Sequence, residues 1–596
     1  MLSLIEMRCR QLFFLLSLVL ILGCREQKKE PKDIILQSPE DIVDPAIYKL
    51  NPEIEFYQIR IVNQTRRATP YIPGQKIQLP ASGGRLKFYM GIIPDYFSKY
   101  PAPVEVKIFS GEGQGQAPVW SKTIDPKDAP GWKMVEIDSA QPPQNLFLSS
   151  DIKDYGLAIS PPLAAPSPDQ RSSVVLILVD ALRADHLGAY GYKRDTSPNL
   201  DALAAKGAVF ENVMSAASFT ATSLATIFTG TYPWEHGVIF NSNLVLGKTR
   251  ITLAQQLRDS GYQTAAFSST YFHLSDFDLN RGFDFFDESC DKTFFSGDAE
   301  CLSGQIMKWI DEQPGKPFFI YFHYTTTHSP YHPPEKYREM FSKGLKVPGG
   351  DVGQGSIQRF SKNHKWYLPR MNPGLEDLAW LVSQYDGEIR YADDQIGRVL
   401  EKMKAAGLDQ NTLFIVTSDH GEAFFEHKLM DHPDELHWPV IRIPLIISGP
   451  RIPLAAKLSE LVRAVDIAPF ILDYAGLKPA ATGESFMPWL QNDSRVRIGD
   501  SVLYQSKKKY QIGMVKYPWH ILLQEPGKKN IELYDISRDP LEKNNLAGQK
   551  PELVNGMLKL ILGPDLILGS PATFGAFGGR LPPETIQKLR ALDYVR

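Results

Sequence analysis

Ser173-Val-Val-Leu-Ile-Leu-Val179 is an unbroken run of apolar, mostly β-branched or leucine residues after its first serine, closed by Asp180. A strand apolar on both faces belongs inside a parallel sheet with helices on either side. That demand constrains the chain more than any other. Asp180 then stands at the carboxyl end of a buried strand, where open α/β sheets collect ligands. An ionised carboxylate there needs a cation or several donors, although the same position also suits a helix N-cap. The design recurs at Phe318–Tyr324, at Thr412–Thr417 before Ser418-Asp-His420, and at Pro444-Leu-Ile-Ile-Ser448. Helical patterns at Asn199–Lys206, Ile251–Ser260 and Leu381–Ala406 stop at Gly207, Gly261 and Gly407. Strands alternating with helices predict a largely parallel sheet. Four of its strand ends carry polar residues: Asp180; His323 with nearby His328; Asp419 with His420; and Ser448 with Gly449.

A chain of 596 residues exceeds what one core supports. A net charge of -3 and the lack of a basic run exclude nucleic acid as the expected partner. The start of the chain says more. Arg8 and Arg10 precede the apolar run Leu12–Leu22, too short to span a bilayer and fitting the core of a signal peptide. Its end, Leu20-Ile-Leu-Gly-Cys24, resembles the lipobox of bacterial lipoproteins. That resemblance implies a signal peptide over 1–23, lipidation of Cys24 and a polar tether over 24–45. The protein would then be exported and held to a membrane of the bacterial cell envelope, facing the periplasm or the outer surface. Cys9 lies in the leader and Cys24 is the lipid candidate, which leaves Cys290 and Cys301 of the four cysteines. In an oxidising compartment the expectation for that pair is a disulfide.

Residues 46–165 have a different texture. Short β-rich runs at Ile54–Val62, Arg85–Met90 and Val104–Phe109 are punctuated by Pro and Gly, as in an all-β sandwich. These runs, with Gly131-Trp-Lys-Met-Val-Glu-Ile137, resemble small jelly-roll modules of the carbohydrate-binding type. Trp132 suits a binding face or a core equally. Pro161–Pro168 reads as a linker.

Asp419-His420 completes the argument begun at Asp180: with it, one sheet edge offers two oxygen ligands and one nitrogen ligand. Around these residues the chain resembles the sulfatase family of the alkaline phosphatase superfamily. The resemblance rests on Val179-Asp-Ala-Leu-Arg-Ala-Asp-His-Leu-Gly-Ala-Tyr-Gly-Tyr192, Phe228-Thr-Gly-Thr-Tyr-Pro-Trp-Glu-His-Gly-Val238 and His328-Ser-Pro-Tyr-His-Pro-Pro334. Tyr385–Asp394, Ser418-Asp-His-Gly-Glu422 and Glu532–Pro540 extend it to most of the chain beyond residue 172. It implies an α/β fold with a mostly parallel central sheet flanked by helices, here over 171–477. A small C-terminal α+β subdomain and tail would occupy 478–596.

One departure bears on chemistry. Sulfatases carry Cys or Ser, oxidised to formylglycine, ten residues before the Gly of the Thr-Gly pair. Counting back from Gly230 gives Thr220, and the Pro and Arg of the family motif are replaced by Thr222 and Leu224. Thr cannot become formylglycine. Relatives with Thr here resemble phosphoryl, phosphoglycerol and phosphoethanolamine transferases and some phosphodiesterases. Thr220 precedes the apolar stretch Leu224–Phe228, so its oxygen is expected at a helix start, where the dipole favours an alkoxide and an anionic substrate. The same position also fits a plain N-cap.

By resemblance, His328 and His432 contact the substrate anion or protonate the leaving oxygen, while His427 and His236 are structural. Arg183 could pair with a carboxylate such as Asp386 or face the site, and a structural role is expected. The reading is an exported hydrolase of sulfate or phosphate esters, with Thr220 as nucleophile. Asp180, Thr220, Asp419 and His420 would hold one divalent ion, Mn, Zn or Ca, with Mg also open. The partner is then an anionic ester, with sulfated or phosphorylated glycans and lipids as candidate classes. Two rivals stand beside it: a phosphoryl or phosphoglycerol-type transferase acting on a cell-surface polymer, and a catalytically inactive glycan-binding protein. The first is usually carried by a multi-span membrane anchor, which is not read in this sequence. The second leaves Asp180, Asp419 and His420 without a purpose.

Overall fold

The structure, a computed structural model, describes residues between 57 and 561, apart from the segments 93–99, 111–117, 161–170, 291–297, 347–374 and 492–500 and several shorter ones. The expected signal peptide, Cys24, the tether, the Pro161–Pro168 linker and the C-terminal tail beyond 561 lie outside the described residues.

At the centre is the Ser173–Val179 strand, buried along its whole length. Its side chains alternate between two cores, as the twofold repeat of a strand requires. Val174, Leu176 and Leu178 join one apolar cluster, and Val175, Ile177 and Val179 join the other. Parallel neighbours flank it: Phe318–Tyr324 on one side and Thr412–Thr417 on the other. Gln263–Ser268 and Phe285–Asp287 continue the parallel arrangement beyond Phe318–Tyr324. Helices Thr220–Thr229, Leu253–Asp259 and Ile467–Tyr474 contribute to the first core. Helices Pro198–Ala205, Ala299–Asp311 and the long Leu375–Ala405 contribute to the second.

One strand breaks the direction. Leu445–Ser448 runs antiparallel between Thr412–Thr417 and Gly207–Met214, with Leu445 opposite Thr417 and Ser448 opposite Phe414. Ser448 and Gly449 therefore lie at the edge away from Asp180 and Asp419, so three of the four polar strand ends share one edge. An apolar run encodes burial but not strand direction. Gly207 also differs from its expected role as a helix stop. It opens the Gly207–Met214 strand, and a Cβ there would come 2.0 Å from Ile447 O, so close strand approach is what requires glycine.

The N-terminal strands form two antiparallel layers around a core that includes Phe88, Met90, Val106, Ile108 and Leu148. One layer is hydrogen-bonded to the central sheet, because Gln64–Pro70 pairs antiparallel with Phe285–Asp287. At that seam the buried Arg66 guanidinium lies between the rings of Tyr89 and Phe285, at 3.2 and 3.9 Å. Trp132 is used in the same place, its indole N–H donating to Gln64 O at 3.1 Å. After the central sheet, Ser501–Ser506, Tyr510–Lys516, Trp519–Gln524 and Ile531–Asp535 make an antiparallel sheet packed on helix Pro551–Ile561. Cys290 and Cys301 are bonded, tying the segment after Phe285–Asp287 to the first turn of helix Ala299–Asp311.

Candidate active site

Asp180, Asp419 and His420 follow directly from two adjacent parallel strands, and the register that pairs Leu178 with Thr417 brings them together. One ligand atom from each lies within 4.8 Å of the others, and all three residues are buried. His420 Nε2 is 3.6 Å from Asp180 Oδ1, 3.3 Å from Asp419 Oδ2 and 3.4 Å from Thr220 Oγ1.

The donors around each carboxylate divide its two oxygens. Asp419 Oδ1 accepts from the amides of Ala181 and His420 at 3.1 and 3.0 Å, while its Oδ2 is buried without a partner. Asp180 Oδ2 faces His323 Nε2 at 3.2 Å, while its Oδ1 is buried without a partner. His420 Nδ1 donates to Gly421 O at 2.9 Å, which leaves the lone pair on Nε2. Two orphaned carboxylate oxygens and an imidazole lone pair thus gather in one place, with the Thr220 hydroxyl beside the imidazole. Acceptors converge this way around a cation, and the donor set of oxygens with one nitrogen suits a divalent metal. Burial, and then the charge of Asp419, push the Asp180 carboxyl well above its usual range; burial pulls His420 down to about 3. Both directions describe groups that a cation would stabilise in the ligand form.

Thr220 is the first residue of the fully buried helix Thr220–Thr229, capped at its far end by Gly230 in the left-handed region. Its N-cap is Phe219, so Thr220 is not itself the cap. The hydroxyl thus belongs to the first turn of a helix, where the leading amides have no intrahelical acceptor.

A second group adjoins the first. His432 stacks on His420 with ring centroids 4.1 Å apart, and its Nε2 lies 2.8 Å from His328 Nε2. Each ring places its Nδ1 against a carbonyl, Ser218 O for His432 and Ser329 O for His328, at 3.0 and 2.6 Å. With both Nδ1–H groups so used, two neutral rings would oppose their Nε2 lone pairs. The short contact requires a shared positive charge. Burial lowers both rings, but Asp180 and Asp431 raise His328 overall, whereas His432 falls to about 3. Of the two rings, His328 is the one whose surroundings favour the proton, with His432 Nε2 placed 2.8 Å away to accept it. Asp431, 3.3 Å from His432 Nε2, completes this group.

Other motif residues are engaged in ion pairs and hydrogen bonds of their own. Arg183 forms a bidentate contact with Asp185 and bonds Glu426 Oε1 at 2.8 Å, not Asp386. Asp386 instead takes Arg194, Tyr192 and His186. His236 is enclosed, bonded to Thr226 and Val238. His323 is the residue whose part sequence reasoning missed: seen only as a strand end, it fixes which Asp180 oxygen is free. Its place one residue before Tyr324, the pairing partner of Val179, was the available signal.

The family model described as Sulfatase matches residues 172–477, and that for the N-sulphoglucosamine sulphohydrolase C-terminal region matches 422–561. The chain is 24% identical to an arylsulfatase of Clostridium perfringens, over 66% of this chain and 94% of that protein. It is 22% identical to an N-acetylglucosamine-6-O-sulfatase of Bacteroides thetaiotaomicron, over 70% and 92%. Among solved structures, a protein in complex with its substrate D-glucosamine-2-N,6-O-disulfate shares the fold with a TM-score of 0.55 at 20% identity, over 66% and 97%. A phosphonate monoester hydrolase of Agrobacterium radiobacter does so with a TM-score of 0.54 at 21% identity, over 66% and 95%.

Proposed function

The chain belongs to the sulfatase family of the alkaline phosphatase superfamily, and from that premise we propose that it is an exported, metal-dependent hydrolase of a sulfuric or phosphoric ester in which Thr220 is the nucleophile. The observation that carries this reading is the position of Thr220 Oγ1. It stands at the start of a buried helix, 3.4 Å from His420 Nε2, the nitrogen that itself lies 3.6 and 3.3 Å from the orphaned oxygens of Asp180 and Asp419.

Asp180, Asp419, His420 and Thr220 would hold one divalent ion, Mn, Zn or Ca with Mg as a further choice, and when bound it supplies Lewis acidity and favours the ionised hydroxyl. The chain's own groups do the rest. The helix amides behind Thr220 favour negative charge on Oγ1 and bind the anionic ester. Thr220 releases its proton to solvent, and Oγ1 bonds to sulfur or phosphorus in line as the bond to the leaving oxygen breaks. That oxygen takes the proton shared by His328 and His432. The neutral pair then accepts a proton from water, whose oxygen attacks the Thr ester and frees Thr220 with the inorganic anion.

Relatives named for sulfated sugars, the N-acetylglucosamine-6-O-sulfatase among them, favour an anionic glycan ester as the substrate class. The leader with Arg8, Arg10 and Cys24 supports export with lipid anchoring, and the Cys290–Cys301 bond supports an oxidising compartment.

The test is turnover of aryl sulfate, aryl phosphate and aryl phosphodiester substrates with each of the four metals. Metal-dependent release from one of them, with a sulfo or phospho adduct on the Thr220 peptide in a quenched sample, is the expected result. No turnover under any condition, or an adduct on another residue, overturns the reading.

A further inference from the structure

Away from the active site, three metal-ligating side chains from distant segments meet. His427 lies in the short helical turn Glu426–Lys428, His437 caps the Trp438–Ile441 helix, and Glu542 follows the last strand of the C-terminal sheet. One ligand atom from each lies within 4.8 Å of the others. His437 and Glu542 are buried and His427 is exposed, so the group opens to solvent on one side.

The donors leave lone pairs there. His437 Nε2 faces Glu532 Oε2 at 3.2 Å, and its Nδ1 is buried with no hydrogen-bond partner. Protonating both nitrogens would bury an N–H without an acceptor, whereas a cation would use the lone pair. His427 gives one nitrogen to the Leu541 carbonyl, which leaves a lone pair on the other. Glu542 accepts from His520 Nδ1 at 2.5 Å and from the Trp438 amide at 2.9 Å. His520 Nε2 is buried without a partner, so His520 is a neutral donor and does not balance the carboxylate.

We infer that His427, His437 and Glu542 form a second metal site, for Zn2+, separate from the active-site ion. Two imidazoles and a carboxylate are a zinc donor set. The rings of His427 and His437 stack 3.8 Å apart, so binding turns the exposed His427 out of the stack to let both lone pairs meet one ion. The site would clamp the loop that carries Asp431 and His432 to the C-terminal sheet. That loop holds Phe425, His427, Lys428 and Asp431 in the left-handed region, a conformation that needs outside contacts to persist.

The test uses the full chain, stripped with chelator and titrated with Zn2+ and with Co2+ as a coloured substitute. Asp180→Asn with Asp419→Asn empties the active site. That variant is expected to keep one equivalent of Zn2+, with visible Co2+ absorption and a Zn2+-dependent rise in Tm. Adding His427→Ala should abolish all three, and His427→Ala alone should keep its active-site equivalent. His427 is exposed, so this variant should fold, which circular dichroism checks. If the active-site variant binds no ion, or adding His427→Ala to that variant leaves its Zn2+ equivalent in place, the second site is wrong. Neither outcome touches the reading of Thr220.

Discussion

His328 and His432 meet nitrogen to nitrogen at 2.8 Å, each held by a carbonyl on its other nitrogen. One proton must lie between them, beside the site where an ester oxygen would leave. His328→Asn should slow esters with poor, alkyl-type leaving groups by about 10^2-fold or more, and nitrophenyl esters much less. A plot of rate against leaving-group pKa reads this directly, and equal slopes for variant and wild type would remove the acid role.

Thr220→Ala should reduce turnover by about four orders of magnitude while only modestly weakening metal affinity. Asp180 and Asp419 supply the charge that holds the ion, and the lost ligand is a neutral oxygen. Thr220→Ser should recover part of the rate. Metal content and single-turnover kinetics separate the two effects, and near wild-type activity in Thr220→Ala would exclude it as nucleophile.

His323→Phe should weaken divalent metal affinity by about 10- to 100-fold, the range seen when an outer hydrogen bond to a ligand is removed. The ring fixes Asp180 Oδ2 and so aims Oδ1 at the site. Calorimetric titration with Mn2+ measures it, and unchanged affinity would mean that Asp180 needs no such support.

His236 makes stability fall in acid. Its Nδ1 accepts from Val238 N at 3.1 Å, and burial lowers the ring to about 3. A ring that resists protonation when folded but titrates near 6.5 when unfolded costs stability as pH drops below 6.5, until about 3. The slope it contributes approaches about 1.4 kcal/mol per pH unit. Urea unfolding between pH 7 and 4 should show that much less slope in His236→Gln than in wild type.

Breaking Cys290–Cys301 should cost about 3 kcal/mol, the loop-closure value for cysteines 11 residues apart. Equilibrium unfolding of Cys290→Ser with Cys301→Ser tests it, and an unchanged midpoint would show that the bond does not constrain the unfolded chain.

The sequence carried the sheet's central strands nearly to the residue. Phe318–Tyr324 and Thr412–Thr417 were read with their observed bounds, because uninterrupted apolar runs can only be buried strands here. It also placed Asp180, Asp419 and His420 after strand ends and Thr220 at a helix start, positions that local structure dictates. Strand direction was not legible: Leu445–Ser448 runs against its neighbours, and its polar end faces away from the site. Nor were the pairings, as Arg183 with Asp185 and Glu426, Asp386 with Arg194, and His328 with His432 show. Hydrophobic periodicity is a local property of the chain, fixed by a few neighbouring residues. Which of two carboxylate oxygens is left without a donor depends on contacts between residues hundreds of positions apart, and those exist only once the sheet has closed.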